Sequence, residues 1–500
     1  MTATLIYTGT PALHRPGNAT DERAARLAGG LDALGVGDGD VVAVMLANHP
    51  VAIDLIRASR IVGSYYCAIN FHFKADEAGF VLNDCGAKVL IVGAEWLPMI
   101  EPRIAPHVRV LVVDGAASAQ DFETWLAAQP PYAGPLRNPR AHMPYTSGTT
   151  GRPKGVRRLA VALADAPRQQ QMSRDLAAAA LGLKPGIRAL LSAPLYHSGP
   201  AVFAQQSMEL GELLVLQPRF DAEATLAAIE QHRIDTLYLV PIMYVRLLRL
   251  PDAVKSRYDL SSVRYVGSTG SPCAPEVKRA MLDWWGDVIY ETYGASEAGL
   301  ITVLDPALAR RKPGCAGRPF GAQVRILRED GTECVTGEPG VVYVRQPAYP
   351  DFEYVNQPQA RQAIDRGGLV TMGDIGYLDA EGDLFLCDRA SDMVISGGVN
   401  IYPAEIEHEL FALPGVADCA VFGIPDEEYG ESLIALIEPR HEPHAPLEAS
   451  AVRDWLGQRL AGYKVPRRVE FMAELPRDDN GKVAKRRLRE AWWARSGRKI

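Results

Sequence analysis

Short, nearly unbroken apolar runs alternate along this chain with stretches in which apolar residues recur every third or fourth position. The first kind predicts strands buried on both faces, and the second predicts amphipathic helices. Residues 19–30 repeat at helical spacing, with Thr20 or Asp21 as the N-cap. The turn cluster Gly35-Val36-Gly37-Asp38-Gly39-Asp40 leads into a strand over 41–46. Helices over 51–62 and 74–85 and strands over 88–92 and 109–113 continue the rhythm. A second unit repeats it, with strands over 189–193, 236–240 and 263–267 and helices over 222–232, 243–250 and 275–285. Such alternation implies an α/β architecture with mostly parallel sheets.

From about 317 to 387 the texture changes: short β-rich runs over 323–327, 340–344 and 384–386 alternate with Gly-rich turns. That pattern predicts an antiparallel, β-barrel-like element. Residues 391–500 read as a separate α+β unit, with helices over 404–411 and 448–460, strands over 416–424, 432–438 and 468–471, and a basic terminal helix. The basic excess of that helix reads as a solvated face before it reads as an anion site. A chain of 500 residues exceeds what one core usually organises. The expected organisation is therefore a large domain over 1–390, holding two α/β sheets and the barrel-like element, and a small α+β domain over 391–500.

Composition narrows the function. A net charge of −7 is small for this length and argues against a nucleic-acid footprint. No apolar run approaches the roughly 20 residues of a membrane span, and the amino terminus lacks the basic flank and apolar stretch of a signal peptide. The seven cysteines are odd in number, scattered and never in a CxxC pair, which suits a reduced, cytoplasmic protein without disulfides or a zinc site. Ten histidines show neither HxxxH nor HExxH spacing, so no structural metal is expected.

The most informative segment is Tyr145-Thr146-Ser147-Gly148-Thr149-Thr150-Gly151-Arg152-Pro153-Lys154-Gly155. Glycines let a backbone turn tightly enough to aim several N–H groups at one anion. The hydroxyls add neutral donors, and Lys154 adds a mobile positive charge for a phosphate tail. No Gly-Lys-Ser/Thr follows at the Walker A spacing, so this is a phosphate loop of another kind.

The segment resembles the phosphate-binding motif of the adenylate-forming superfamily, and further matches follow in that family's order. Pro194-Leu195-Tyr196-His197-Ser198-Gly199 resembles the segment bordering the acyl pocket, and Gly267-Ser268-Thr269-Gly270-Ser271-Pro272 the backbone that lies on adenine. Gly270 and Ser271 stand where the family commonly has alanines. In Tyr290-Glu291-Thr292-Tyr293-Gly294-Ala295-Ser296-Glu297, the resemblance implies that Tyr293 stacks on adenine, Ser296 replaces a threonine near the α-phosphate, and Glu297 binds Mg²⁺. Met372-Gly373-Asp374-Ile375-Gly376-Tyr377 looks like the ribose motif, with Asp374 on the sugar hydroxyls and Arg389 of Asp388-Arg389 as second contact. The hinge falls at Ser391, Gly397 and Gly398 line the CoA tunnel, and Lys482 of Pro476-Arg477-Asp478-Asp479-Asn480-Gly481-Lys482 is the catalytic lysine, all by resemblance.

The implied first reaction joins a carboxylic acid to ATP, giving an acyl-adenylate and pyrophosphate. The motifs look most like stand-alone acyl- or aryl-CoA synthetases, which pass the acyl group to CoA. An amide synthetase passing it to an amine, or a silent adenylate-binding sensor, are the alternatives. By the same resemblance Thr146, Ser147, Gly148, Thr149, Thr150, Gly151 and Lys154 hold phosphate. The acid pocket is expected between His197, Val240, Ile242, Gly267, Ser268 and Thr269, with a bulky cyclic or aromatic acid preferred over a long chain. Monomer and homodimer stay open.

Overall fold

The computed structural model describes residues 2–115, 121–146, 153–271, 273–389, 392–396, 399–426, 428–440, 447–477 and 483–495. Its first sheet is four-stranded and wholly parallel, in the order Tyr65–Ala68, Val41–Met45, Ala87–Gly93, Arg109–Val113. Both of its faces are covered. Val42, Val44, Val89 and Ile91 enter the main core, while Ala43, Met45, Leu90 and Val92 meet Val81 and Leu82 of the helix Ala75–Asp84 in a second core. Two-sided burial is why the sequence of these strands shows no polar alternation.

The second sheet has seven strands, in the order Ile289–Glu291, Tyr265–Ser268, Thr236–Leu239, Arg188–Leu191, Leu213–Leu216, Thr4–Tyr7, Leu13–Arg15. Every pair is parallel except the last. Several elements here lie outside the sequence-based expectation, among them the short strands Leu13–Arg15, Leu213–Leu216 and Ile289–Glu291. The strand Thr4–Tyr7 pairs in parallel with Leu213–Leu216 across some two hundred residues of chain, and the helices Ala166–Leu181 and Ser198–Leu210 cover the sheet.

The β-rich region is an open, eight-stranded antiparallel sheet centred on Asp374–Leu378, Leu384–Arg389 and Gly340–Arg345, without closure into a barrel among the described residues. A separate three-stranded sheet orders Phe352–Tyr354, Lys154–Arg158 and Tyr145–Thr146. It carries the phosphate-loop motif on a hairpin in which Thr146 stands opposite Lys154.

Residues beyond 391 form a smaller unit around the long antiparallel hairpin Val416–Asp426 and Gly430–Pro439, with Arg468–Phe471 added in parallel. Cys419 and Val421 face one core with Ile406 and Leu410 of the helix Pro403–Phe411; Ala420, Phe422 and Ile424 face another with Leu475. The mixed α/β arrangement of a large amino-terminal and a small carboxy-terminal part is as expected. Among the described residues, no helix is long and apolar enough to cross a membrane.

Candidate functional site

The carboxyl ends of parallel strands, where ligands bind in open α/β sheets, open here into a cleft of about 3570 Å³. Its walls include Thr146, Lys154, Tyr293, Glu297 and Asp374, drawn from motifs far apart in sequence. Glu297 is the focus of the polar end. Its Oε1 accepts from Thr146 Oγ1 at 3.2 Å and from the Tyr354 hydroxyl at 3.0 Å. Lys154 Nζ lies 5.3 Å from the centroid of the Tyr354 ring, a cation–π placement on the same cluster. Burial first, and then the Glu297 charge, push the Tyr354 phenol above its ordinary value, so it stays a donor.

Tyr354 and Arg158 are absent from the sequence reading, yet a signal existed for one of them. Strand residues two apart share a face, so Lys154, Val156 and Arg158 point the same way. Arg158 is 8% exposed and donates to the carbonyls of Ser296 at 2.6 Å and Pro350 at 3.0 Å. Burial lowers its guanidinium to about 10, still charged at neutral pH. It thus holds the backbone of the Ser296-Glu297 turn in register with the phosphate hairpin. At Gly299 in that turn φ is +80°, and a Cβ would lie 2.2 Å from the Tyr349 ring, so glycine is required twice over.

On the adenosine side the Tyr293 hydroxyl donates to Asp374 Oδ2 at 2.5 Å. Asp374 is paired across its sheet with Arg389, so these two family positions stand on facing strands. Gly270 has φ of +98°, with only Val240 near a would-be Cβ, an open left-handed turn at the cleft wall. Beneath it, Lys278 Nζ and Glu291 Oε2 form a buried 2.8 Å ion pair.

The apolar end is aromatic. Tyr66, Phe71, His142, Tyr196, His197 and Tyr238 all line it. Phe71 meets Tyr196 edge-on at 5.5 Å, Tyr196 lies 4.2 Å from His197, and Tyr66 stacks on His142 at 4.8 Å. The turn bearing Tyr196 and His197 is fixed from the first sheet by Asn48, which is 2% exposed. Its amide donates to the carbonyls of Ala193 and Gln217, both at 3.0 Å, and its Oδ1 accepts from Leu195 N at 2.9 Å. Ser198 Oγ lies 2.9 Å from Ser296 Oγ, which ties the aromatic end to the polar end.

Val240, Ile242, Thr269 and Ser271 line the cleft. Gly267 and Ser268 stand apart from the lining: Ser268 is fully buried, and a Cβ on Gly267 would meet Leu181 at 3.0 Å. Both belong to the strand Tyr265–Ser268, which ends one residue before the wall begins. Ser147, Gly148, Thr149, Thr150, Gly151, Ser391, Gly397, Gly398 and Lys482, expected at the phosphate loop, the hinge, the CoA tunnel and the catalytic lysine, lie outside the described residues, as does the side chain of Arg389.

Near the hinge, Asp388 Oδ2 accepts from Ala404 N at 2.9 Å, at the start of the helix Pro403–Phe411. Lys485 pairs with Glu407 at 2.8 Å, and Glu407 also accepts from Val421 N at 2.6 Å. The first turn of the terminal helix Lys485–Arg495 is thereby anchored three residues beyond Lys482.

A hydroxyl-rich, lysine-bearing hairpin set against one carboxylate, a tyrosine–aspartate pair and an aromatic cavity together define a nucleotide-dependent enzyme cleft. The chain belongs to the AMP-binding enzyme family, whose main domain matches residues 17–349 and whose C-terminal domain matches residues 405–482. It is 35% identical over 470 residues to a feruloyl-CoA synthase from Amycolatopsis, covering 93% of this chain and 92% of that one. It is 34% identical over 483 residues to an indoleacetate–CoA ligase from Aromatoleum aromaticum, covering 93% and 91%. The amide bond synthetase McbA from Marinactinospora thermotolerans has a similar structure, with a TM-score of 0.87, 28% identity, and coverage of 98% of this chain and 97% of that one.

Proposed function

We propose that the protein activates an aromatic carboxylic acid with ATP and transfers the acyl group to CoA. In the first step a carboxylate oxygen attacks the α-phosphorus, the α–β phosphoanhydride bond breaks, and pyrophosphate leaves. In the second the thiol sulfur attacks the acyl carbon, AMP leaves, and the thiol proton passes to solvent. The observation that carries this reading is the convergence of Thr146, Tyr354 and Lys154 around Glu297 at one end of a cleft with aromatic walls. One end suits a polyphosphate and the other a ring.

Glu297 fits Mg²⁺: it offers a hard oxygen ligand, its hydrogen-bond partners Thr146 and Tyr354 are neutral donors, and Mg²⁺ beside phosphates is usually held by one or two carboxylates. Bound there, the ion would neutralise phosphate charge. Asp374 accepts from the ribose hydroxyls, Tyr293 covers the base, and Lys482 supplies positive charge between the carboxylate and the α-phosphate. Ser391 is the hinge between a 1–390 domain and a 391–500 domain, and the loop of Gly397 and Gly398 lines the thiol's path.

Support for CoA as acceptor comes from the two CoA-ligase relatives. The likeness to an amide bond synthetase favours a second reading, in which an amine takes the acyl group. Pyrophosphate release across a panel of acids, with CoA, with an amine and with neither, separates the two when products are weighed. Thioester masses support the first reading and amide masses with no thioester replace it.

A further inference from the structure

His142 lies three residues before Tyr145, outside every motif that marked the site, and it is 8% exposed. An isolated bridge pairs it with Tyr66 beside the edge strand Tyr65–Ala68, and its ring stacks on the Tyr66 ring with an interplanar angle of 17°. It shares the aromatic wall of the cleft with Tyr66 and His197. Both ring nitrogens are buried and, among the described residues, have no hydrogen-bond partner.

An imidazole is a poor choice for a wall that only needs an aromatic face. A buried polar atom left unbonded is destabilising, whereas phenylalanine would stack on Tyr66 without that cost. Burial first, and then His197, lower the His142 pKa to about 3, so the ring is neutral. A neutral imidazole carries one donor and one acceptor. No hydrogen bond holds the ring in one orientation, so a half-turn about Cβ–Cγ exchanges each nitrogen with a ring carbon and breaks nothing.

We propose that His142 is a specificity-determining residue of the acid pocket, hydrogen-bonding a polar substituent on the ring of an aromatic acid. The substrate class is then an aromatic acid with a hydroxyl or a ring N–H remote from its carboxyl group. This inference rests on the reading that the enzyme activates an aromatic acid. In the pose this requires, the carboxylate end lies toward Ser296 and Glu297 and the ring toward His142 and Tyr66, all of which line the same cleft.

The test pairs acids that differ in the polar group: 4-hydroxycinnamate with cinnamate, and indole-3-acetate with 1-naphthylacetate. Pyrophosphate release is followed without CoA, so the acceptor plays no part. Wild type should favour the polar member of at least one pair by about three- to tenfold in kcat/KM, the worth of a neutral hydrogen bond. His142→Phe, and independently His142→Leu, should bring that ratio to about one. The thermal midpoint of His142→Phe should hold or rise, because an unbonded polar ring is removed. Wild-type ratios near one in both pairs, or a Phe variant that keeps the wild-type ratio, overturn the role given to His142. Release from aliphatic acids but from no aromatic acid overturns the underlying reading of the function as well.

Discussion

Glu297 shows how much a single carboxylate is asked to do. It accepts from Thr146 and Tyr354, and under the proposed function its charge is what a phosphate-bound cation would meet. Glu297→Gln keeps the shape and an accepting oxygen but removes that charge. The expected result is a loss of roughly a hundredfold in pyrophosphate exchange, in the range of a lost electrostatic contact at a reacting phosphate. The loss should be deepest at low Mg²⁺, with an unmoved thermal midpoint. Exchange equal to wild type at every Mg²⁺ concentration removes Glu297 from the site. At this scale the sequence was legible where a motif gave order: Thr146, Lys154, Tyr293, Glu297 and Asp374 reach one cleft. It was silent on His142 and Tyr354, because a lone histidine or tyrosine has no spacing to mark it. Arg158 carried a two-residue periodicity with Lys154 that a basic pair, Arg157-Arg158, obscured.

At the scale of elements, hydrophobic patterning found many of the buried strands and missed several short ones, such as Thr4–Tyr7, Leu13–Arg15 and Leu213–Leu216. The strand Thr4–Tyr7 is too short to announce itself and exists because Leu213–Leu216 offers it an edge. The helix Ser198–Leu210 begins inside a motif, at Ser198-Gly199-Pro200, where glycine and proline obscure a helix start although proline suits a first turn. The Asn48 bridge is likewise invisible without the fold, since its three backbone partners come from the ends of two strands. Asn48→Ala leaves Leu195 N–H and two carbonyls without that side chain, at about 1–3 kcal/mol. The acid-binding turn should loosen, raising KM for the acid severalfold while KM for ATP stays within about twofold. Steady-state kinetics with each substrate varied in turn decide it. Equal rises in both KM values would show general destabilisation rather than control of the turn.

At the scale of the whole molecule, the question is what the smaller carboxy-terminal unit contributes to a cleft built mostly by the larger. Asp388 caps the start of Pro403–Phe411, and Lys485, three residues beyond Lys482, fastens the terminal helix to Glu407. On the proposed function the charge of Lys482 serves the adenylation step, when negative charge gathers between carboxylate and α-phosphate, whereas thioester formation starts from a finished adenylate. If the small unit turns between the two steps, the half-reactions separate. Lys482→Ala should lose roughly 10²–10³ in adenylation from acid and ATP, yet still convert a synthetic acyl-adenylate and CoA to thioester at a rate within a fewfold of wild type. Ser391→Pro should do the reverse, because a fixed φ at the hinge impedes the turn after adenylation and leaves the first step largely intact. Pyrophosphate release reads the first half-reaction and thioester mass the second, both with one acid. Equal loss of both half-reactions in both variants would mean that one fixed arrangement serves both steps, and the turning hinge would have to be abandoned.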